Sequence, residues 1–136
     1  MPKSVLIVDD HEAVRRAIRF RFQAHSEFTV CGEAVDGVDA VEKAQELSPD
    51  IVIMDFAMPE MNGLEAATAL KYMMPSVPVF LLTVHSNREL ELAAHDAGIG
   101  AVISKYDDLS ALFRRIRSEL SEPRSDRSDS QGEKIF

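Results

Sequence analysis

Five polar residues each close an apolar run. Asp9 and Asp10 follow Val5-Leu6-Ile7-Val8, and Asp55 follows Ile51-Val52-Ile53-Met54. Thr83 ends the run from Val77 to Leu82, and Lys105 comes just after Ala101-Val102-Ile103. Three carboxylates brought together repel one another and call for a cation. Hard oxygen ligands with open positions suit Mg²⁺, which keeps several waters and bridges to phosphoryl oxygens. Three carboxylates against one Mg²⁺ and one lysine sum to zero, so the site can receive an anionic phosphoryl group without prohibitive repulsion. Lys105 can pair with one phosphoryl oxygen and the Thr83 hydroxyl can donate to another. Asp55 can be the nucleophile, because carboxylates form acyl phosphates.

These residues converge only if the runs are neighbouring strands. The runs, with Thr29-Val30-Cys31 as a further strand, are mostly apolar on consecutive positions, the pattern of strands covered on both faces. Helical spacing fills the gaps: Val14, Ile18 and Phe22; Val38, Val41, Ala44 and Leu47; Gly63 to Met74; Asn87 to Ala97; and Leu109, Phe113 and Arg117 with Leu112, Ile116 and Leu120. Gly98 stands where a helix C-cap belongs. Alternating strands and helices imply a doubly wound parallel sheet with right-handed crossovers, an α/β fold of three layers. In such a sheet the reactive crevice lies outside the carboxyl ends of the strands, where all the polar residues above fall.

Asp9-Asp10, Asp55 followed by Met58-Pro59 and Gly63, Leu82-Thr83, and Ser104-Lys105 together resemble the receiver domain of two-component response regulators. The resemblance runs from about residue 3 to residue 121. It implies a flavodoxin-like five-stranded sheet of order 2-1-3-4-5 with five helices. It also implies that Asp55 is the phosphoacceptor, loaded from a phosphohistidine on a sensor histidine kinase or a histidine phosphotransfer protein. Asp10, Asp55 and the backbone carbonyl of Ala57 would bind Mg²⁺ directly, and Asp9 would act through water. Lys105 would hold the phosphoryl group, while Thr83 would swing toward it and carry the signal onward. The output would be a protein partner, or self-association, through the fourth helix, fifth strand and fifth helix.

The chain departs from the family in places. Val102 stands three residues before Lys105, where the family commonly has a switchable Tyr or Phe. Tyr106 follows Lys105, where many members have proline, and is read as an aromatic contact on the output face. Ala57 has no side chain to orient an attacking water. Val84 is bulkier than the usual alanine and narrows access for a phosphoryl donor.

The bland readings are specific too. Asp9-Asp10 would cap the first helix and Lys105 would be a solvated lysine. His11 would be a first-turn surface histidine, and Arg15, Arg16, Arg19 and Arg21 a solvated helix face. Cys31 reads as a small buried hydrophobe. Kinase recognition falls to first-helix residues such as Val14 and Ile18.

Composition bounds the rest. The chain has 136 residues, 46% hydrophobic and 28% charged, which fits one globular domain. Lys plus Arg number 15 against 23 Asp plus Glu, a formal charge of −8 that argues against direct nucleic-acid binding. No apolar run approaches the roughly 18–20 residues of a bilayer span. The single cysteine suits a reducing, cytoplasmic setting. Residues 1–121 read as the domain; residues 122–136, without a large apolar residue before Ile135, read as a disordered tail. An aspartate-nucleophile phosphatase of the haloacid dehalogenase type is a rival, but its nucleophile belongs to an early Asp-x-Asp motif and its paired acids come last. A pseudo-receiver without phosphorylation is another. A nucleotide or flavin carrier is disfavoured by the absence of glycine in Asp9-Asp10-His11-Glu12.

Overall fold

The computed structural model describes residues 1–58, 61–84, 86–105 and 109–121. Pro59, His85, Tyr106 and the expected tail at 122–136 therefore lie outside the described residues. Chain order is β1 (Lys3–Val8), α1 (Glu12–Gln23), β2 (Phe28–Ala34), α2 (Gly37–Leu47), β3 (Ile51–Asp55), α3 (Gly63–Met73), β4 (Val79–Thr83), α4 (Arg88–Asp96), β5 (Ala101–Ser104) and α5 (Ser110–Ser121). The strands form one parallel sheet of order β2-β1-β3-β4-β5, the topology that the family resemblance implies.

Alternation along the strands builds two cores. Leu6, Val8, Val52, Met54 and Leu81 face one side, where they meet Ala40 and Ala44 of α2, Ala66 and Leu70 of α3, and Ala94 of α4. Val5, Ile7, Ile51, Ile53, Phe80 and Leu82 face the other, against Ile18 and Phe22 of α1 and Leu112, Phe113 and Ile116 of α5. The small residues of α2 and α3 let those helices lie close to the sheet. On the opposite face a cluster of Phe22, Phe28 and Phe113 fills a wider space, with ring centroids 4.8–5.8 Å apart. The central strands β3 and β4 are buried at every position, whereas the edge strands β2 and β5 are half-exposed over most of theirs. The continuous apolar runs thus reflect burial on two faces.

Element ends differ from the sequence expectation in instructive ways. Strand β2 extends beyond Thr29–Cys31 at both ends. Its register against β1 jumps from Val30 to Gly32, leaving Cys31 as the bulged residue, half-buried, with its thiol donating to the Val5 carbonyl at 3.4 Å. Strand β4 starts at Val79 rather than Val77, because Pro78 has no N–H for the ladder and takes part only through its carbonyl. Both β3 and β4 run one residue further than their apolar stretches, so Asp55 and Thr83 are the last residues of their strands. Gly98 has φ of +83° directly after the Ala97 C-cap, as its position required.

Candidate functional site

The carboxyl edge of the sheet brings the expected residues together. Asp9 and Asp10 lie in the turn between β1 and α1, Asp55 and Thr83 end β3 and β4, and Lys105 follows β5. Lys105 stands at the centre. Its ammonium donates to Asp9 Oδ2 at 3.0 Å and lies 2.9 Å from Asp55 Oδ1, and its backbone N–H donates to the Thr83 carbonyl at 2.7 Å. The reading of Lys105 as a solvated lysine fails, since its side chain keeps 19% exposure and bridges two almost fully buried acids. Thr83 is buried beside it.

Asp9 has every polar group engaged. Its N–H donates to the Ala34 carbonyl at 3.1 Å and its carbonyl accepts from Arg15 Nη1 at 2.7 Å. Its Oδ1 accepts the His11 N–H at 2.9 Å, and Oδ2 accepts Lys105. Asp9 is fully buried. Neither acid is the N-cap of α1, because that position belongs to His11, whose side chain makes no capping bond. The capping reading is thereby corrected. Asp10 differs from its neighbour: its Oδ1 is buried and has no hydrogen-bond partner. The nearest polar group is His11 Nδ1, 3.1 Å away but outside hydrogen-bond geometry, on a side chain 67% exposed.

A buried carboxylate oxygen without a donor is costly unless something positive completes it. The ligand atoms of Asp9, Asp10 and His11 lie within 4.8 Å of one another, and Asp55 joins Asp9 through the shared ammonium. This is a donor set dominated by carboxylate oxygen, and it fits a hard divalent cation. Burial lifts the Asp55 carboxyl above its ordinary value, and Asp9 adds to the effect by repulsion; the Lys105 bond and the backbone N–H of Ala57 hold it back only in part. For Lys105, burial works toward loss of the proton, but its bonds to Asp55 and Asp9 prevail and raise its pKa.

The loop after β3 is shaped by Gly63. A Cβ there would stand 2.4 Å from the Asp55 carbonyl oxygen and 2.7 Å from Phe56 Cα. Only glycine lets α3 begin against the end of β3, where its N–H donates to the Phe56 carbonyl at 2.7 Å. Asn62 caps the helix in a reciprocal box with Glu65.

Two arginine contacts escaped the sequence reading, and the one made by Arg15 supports the site. Arg15 and Arg19 do not form a solvated face with Arg16. They grip Glu33 of β2, Arg15 through Nε at 2.8 Å and Arg19 through Nε at 2.7 Å, and the Arg15 side chain is only 13% exposed. Arg16 fits the expectation, 69% exposed and paired with Glu12 one turn away. The available signal was position: Arg15 and Arg19 each sit one residue past Val14 and Ile18, at the margin of the buried stripe, with an acid on the adjoining strand. Ile18, expected to face a kinase, is itself only 5% exposed.

Known proteins are similar to this chain in sequence and fold. The response regulator receiver domain family matches residues 5–117. The response regulator protein VraR of Staphylococcus saprophyticus is 39% identical over 117 residues, covering 86% of this chain and 56% of the relative. The VraR protein of Staphylococcus aureus is 35% identical over 136 residues, covering 100% of this chain and 60% of the relative. The chain thus spans less than two thirds of the length of these relatives. A two-component response regulator of the LuxR family from an Aurantimonas species, solved by crystallography, superposes with a TM-score of 0.84 at 25% identity and covers both chains fully. With the parallel order β2-β1-β3-β4-β5 and the acids and lysine gathered at its carboxyl edge, this chain belongs to the receiver domain family of two-component response regulators.

Proposed function

We propose that the chain receives a phosphoryl group on Asp55 from a phosphohistidine of a sensor histidine kinase or phosphotransfer protein. The observation that carries this reading is the single Lys105 ammonium shared by Asp9 and Asp55, beside a buried Asp10 oxygen with no hydrogen-bond partner. Three carboxylates against one ammonium leave that rim two positive charges short of balance, which one divalent cation would complete. Asp10, Asp55 and the Ala57 carbonyl would hold Mg²⁺, with Asp9 acting through water. A bound Mg²⁺ supplies positive charge to the transferring phosphoryl oxygens.

The chain's own residues do the rest. Asp55 Oδ attacks phosphorus, the O–P bond forms as the N–P bond of the donor breaks, and the released imidazole nitrogen takes a proton. Lys105 then transfers its hydrogen bonding from Asp55 to a phosphoryl oxygen, and the Thr83 hydroxyl donates to another. Residues 1–121 act as the receiver unit and 122–136 as its tail. A groove of about 810 Å³ along α1, lined by Ala13, Ala17, Phe20 and Leu109 and reaching Lys105, suits the kinase or phosphotransfer partner. Within it Phe20 is 71% exposed, while Ile18 forms part of the wall.

The output runs through α4–β5–α5, by a protein partner or self-association, with Tyr106 as a contact there. Val102 lines a cavity of about 300 Å³ on that face with Glu91, His95 and Arg115. No direct nucleic-acid contact is assigned to this acidic chain. No helix among the described residues is long and apolar enough to cross a membrane, and the cytoplasm is the setting that matches a kinase-fed receiver.

Intact-mass measurement after incubation with Mg²⁺ and a small acyl phosphate tests this reading. One labile phosphoryl adduct is expected, absent in Asp55→Ala and in chelator. No adduct on the wild-type chain would refute it in favour of a pseudo-receiver. Continuous phosphate release from varied organic phosphates would refute it in favour of a phosphatase.

A further inference from the structure

Four arginines stand on α1, and Arg15 reaches the acid turn. Arg15 Nη1 donates to the Asp9 carbonyl at 2.7 Å while its Nε donates to Glu33 Oε1 at 2.8 Å. Arg19 holds the second oxygen, Glu33 Oε2, at 2.7 Å, and Lys43 Nζ donates to the Glu33 backbone carbonyl at 2.6 Å. Glu33 is therefore fastened from two helices, and its neighbour Ala34 accepts the Asp9 N–H. Of these links, the Arg15 guanidinium and the Asp9–Ala34 bond tie the turn that carries the acids to strand β2.

The bonded carbonyl belongs to the peptide between Asp9 and Asp10. A planar peptide has no soft rotation of its own, so fixing its carbonyl fixes the direction in which the next residue leaves it. That next residue is Asp10, whose Oδ1 is buried without a hydrogen bond. Asp9 is held by its side chain as well, through Lys105 and the His11 N–H. Among the hydrogen bonds described at this turn none reaches the Asp10 side chain, and its described ion pair is to the exposed His11 ring 3.1 Å away, so no buried side chain holds it and its aim depends on its backbone. A guanidinium with 13% exposure is a costly way to fill space, and here both of its bonds serve acceptors that no aliphatic side chain could satisfy.

We propose that Arg15 is a positioning residue for the divalent cation. By locking the Asp9–Asp10 peptide to Glu33, it sets where the Asp10 carboxylate meets the ion, and so sets cation affinity. The proposal rests on the receiver reading of the site. Arg15 touches neither ion nor phosphoryl group; it acts through the turn, as outer partners of metal ligands do.

The test is Mg²⁺ titration of the full chain by calorimetry, alongside thermal denaturation in chelator. Arg15→Met is expected to weaken Mg²⁺ binding by about tenfold, the lower end for loss of an outer partner. Arg19→Gln is the control. It strips the same Glu33 of a partner and lowers the melting temperature, yet leaves Mg²⁺ affinity within about twofold, since Arg19 has no described bond to the acid turn. Should Arg15→Met not fold, Arg15→Lys keeps the charge and reaches one acceptor, and is expected to weaken Mg²⁺ binding several-fold. Equal Mg²⁺ affinity in wild type and the Arg15 variants would overturn the proposal alone, as would equal losses in the Arg15 and Arg19 variants. A wild-type chain that takes up no Mg²⁺ would overturn the receiver reading and this proposal together.

Discussion

Lys105→Met tests the electrostatics on which the site depends. In the cation-free protein the Lys105 ammonium lies between Asp9 and Asp55, which are 0% and 3% exposed. Methionine keeps the stem and removes the charge, leaving two buried carboxylates that repel. Breaking a buried pair by deleting one partner costs ~3–5 kcal/mol. The Lys105 side chain retains 19% exposure, so water can enter at the rim and the low end, about 3 kcal/mol, applies. For a domain of this size that corresponds to a fall in Tm of roughly 10 °C. A lysine at the surface without such bonds would change stability by no more than about 0.5 kcal/mol. The two readings are thus well separated.

The pH dependence has a definite sign. Burial already lifts the Asp55 carboxyl with Lys105 in place, and removing Lys105 takes away the bond that held it down. Between the ordinary carboxylate value and the lifted one, the folded state binds more protons than the unfolded state. Stability therefore falls as pH rises through that window. The deficit of Lys105→Met should be largest near neutrality and shrink on acidification as Asp55 takes up its proton. Mg²⁺ should also narrow the deficit, because the variant has no ammonium competing for Asp9 and Asp55 and so gains more from the ion than the wild type does. Circular dichroism melts in chelator across this pH range, repeated with MgCl₂, give all three quantities. A deficit below about 0.5 kcal/mol at neutral pH in chelator, or one that grows on acidification, would refute the reasoning.

Gly63→Ala forces a Cβ to within 2.4 Å of the Asp55 carbonyl oxygen, a backbone atom that cannot rotate away. A loss of about 3 kcal/mol in urea denaturation is expected, the upper end of overpacking costs, and a near-neutral change would contradict the close approach of α3 to β3. Glu33→Gln should also lose its deficit on acidification, but for the opposite reason, because there the wild type loses stability rather than the variant gaining it. Burial pushes the Glu33 carboxyl up, but the Arg19 and Arg15 bonds override it and leave the value below the usual range. That stability is present above the unfolded carboxylate value and is lost as pH falls through the folded one. The gap between wild type and variant, about 1–2 kcal/mol at neutral pH, should therefore close below about pH 4 in acid titration of stability.

The sheet was legible because its central strands are buried on two faces and read as unbroken apolar runs, each ending in a polar residue. Asp9, Asp10, Asp55, Thr83 and Lys105 could be collected from those endings alone, since parallel strands place all their carboxyl ends on one rim. The edges were harder. Strand β2 is half-exposed over most of its length and carries Gly32 and Glu33, so its true span from Phe28 to Ala34 has no continuous apolar signature. The bulge at Cys31 depends on register with β1 and has no local mark. Arg15 was misread for a similar reason. Its neighbours on α1 are charged, and what buries it is an acid on another strand. Side chains that act through a tertiary partner leave little trace in their own segment, whereas Gly63 had a trace, a glycine at the head of a helix, whose reason lay in the backbone it touches.

The engaged and unengaged groups at the rim separate a built site from a chance gathering of acids. Carboxylates that met only as helix caps would be satisfied by backbone N–H groups alone, yet the N-cap of α1 is His11, and Asp9, besides accepting the His11 N–H, binds a lysine far along the chain. Carboxylates that met only as a structural ion pair would have matching cations, yet Asp9 and Asp55 share one ammonium while the buried Asp10 oxygen has no hydrogen bond. Natural folds tolerate such local conflict where function requires it. Here the conflict has a direction. Asp9 is rigidly complete, Asp55 is held by a bond that can be exchanged, and Asp10 has an oxygen still to be matched. A cation that binds gains most at Asp10, and a group esterified to Asp55 relieves the charge that burial disfavours. The same arrangement that lowers the stability of the empty site therefore favours both events, and their coupling follows from it.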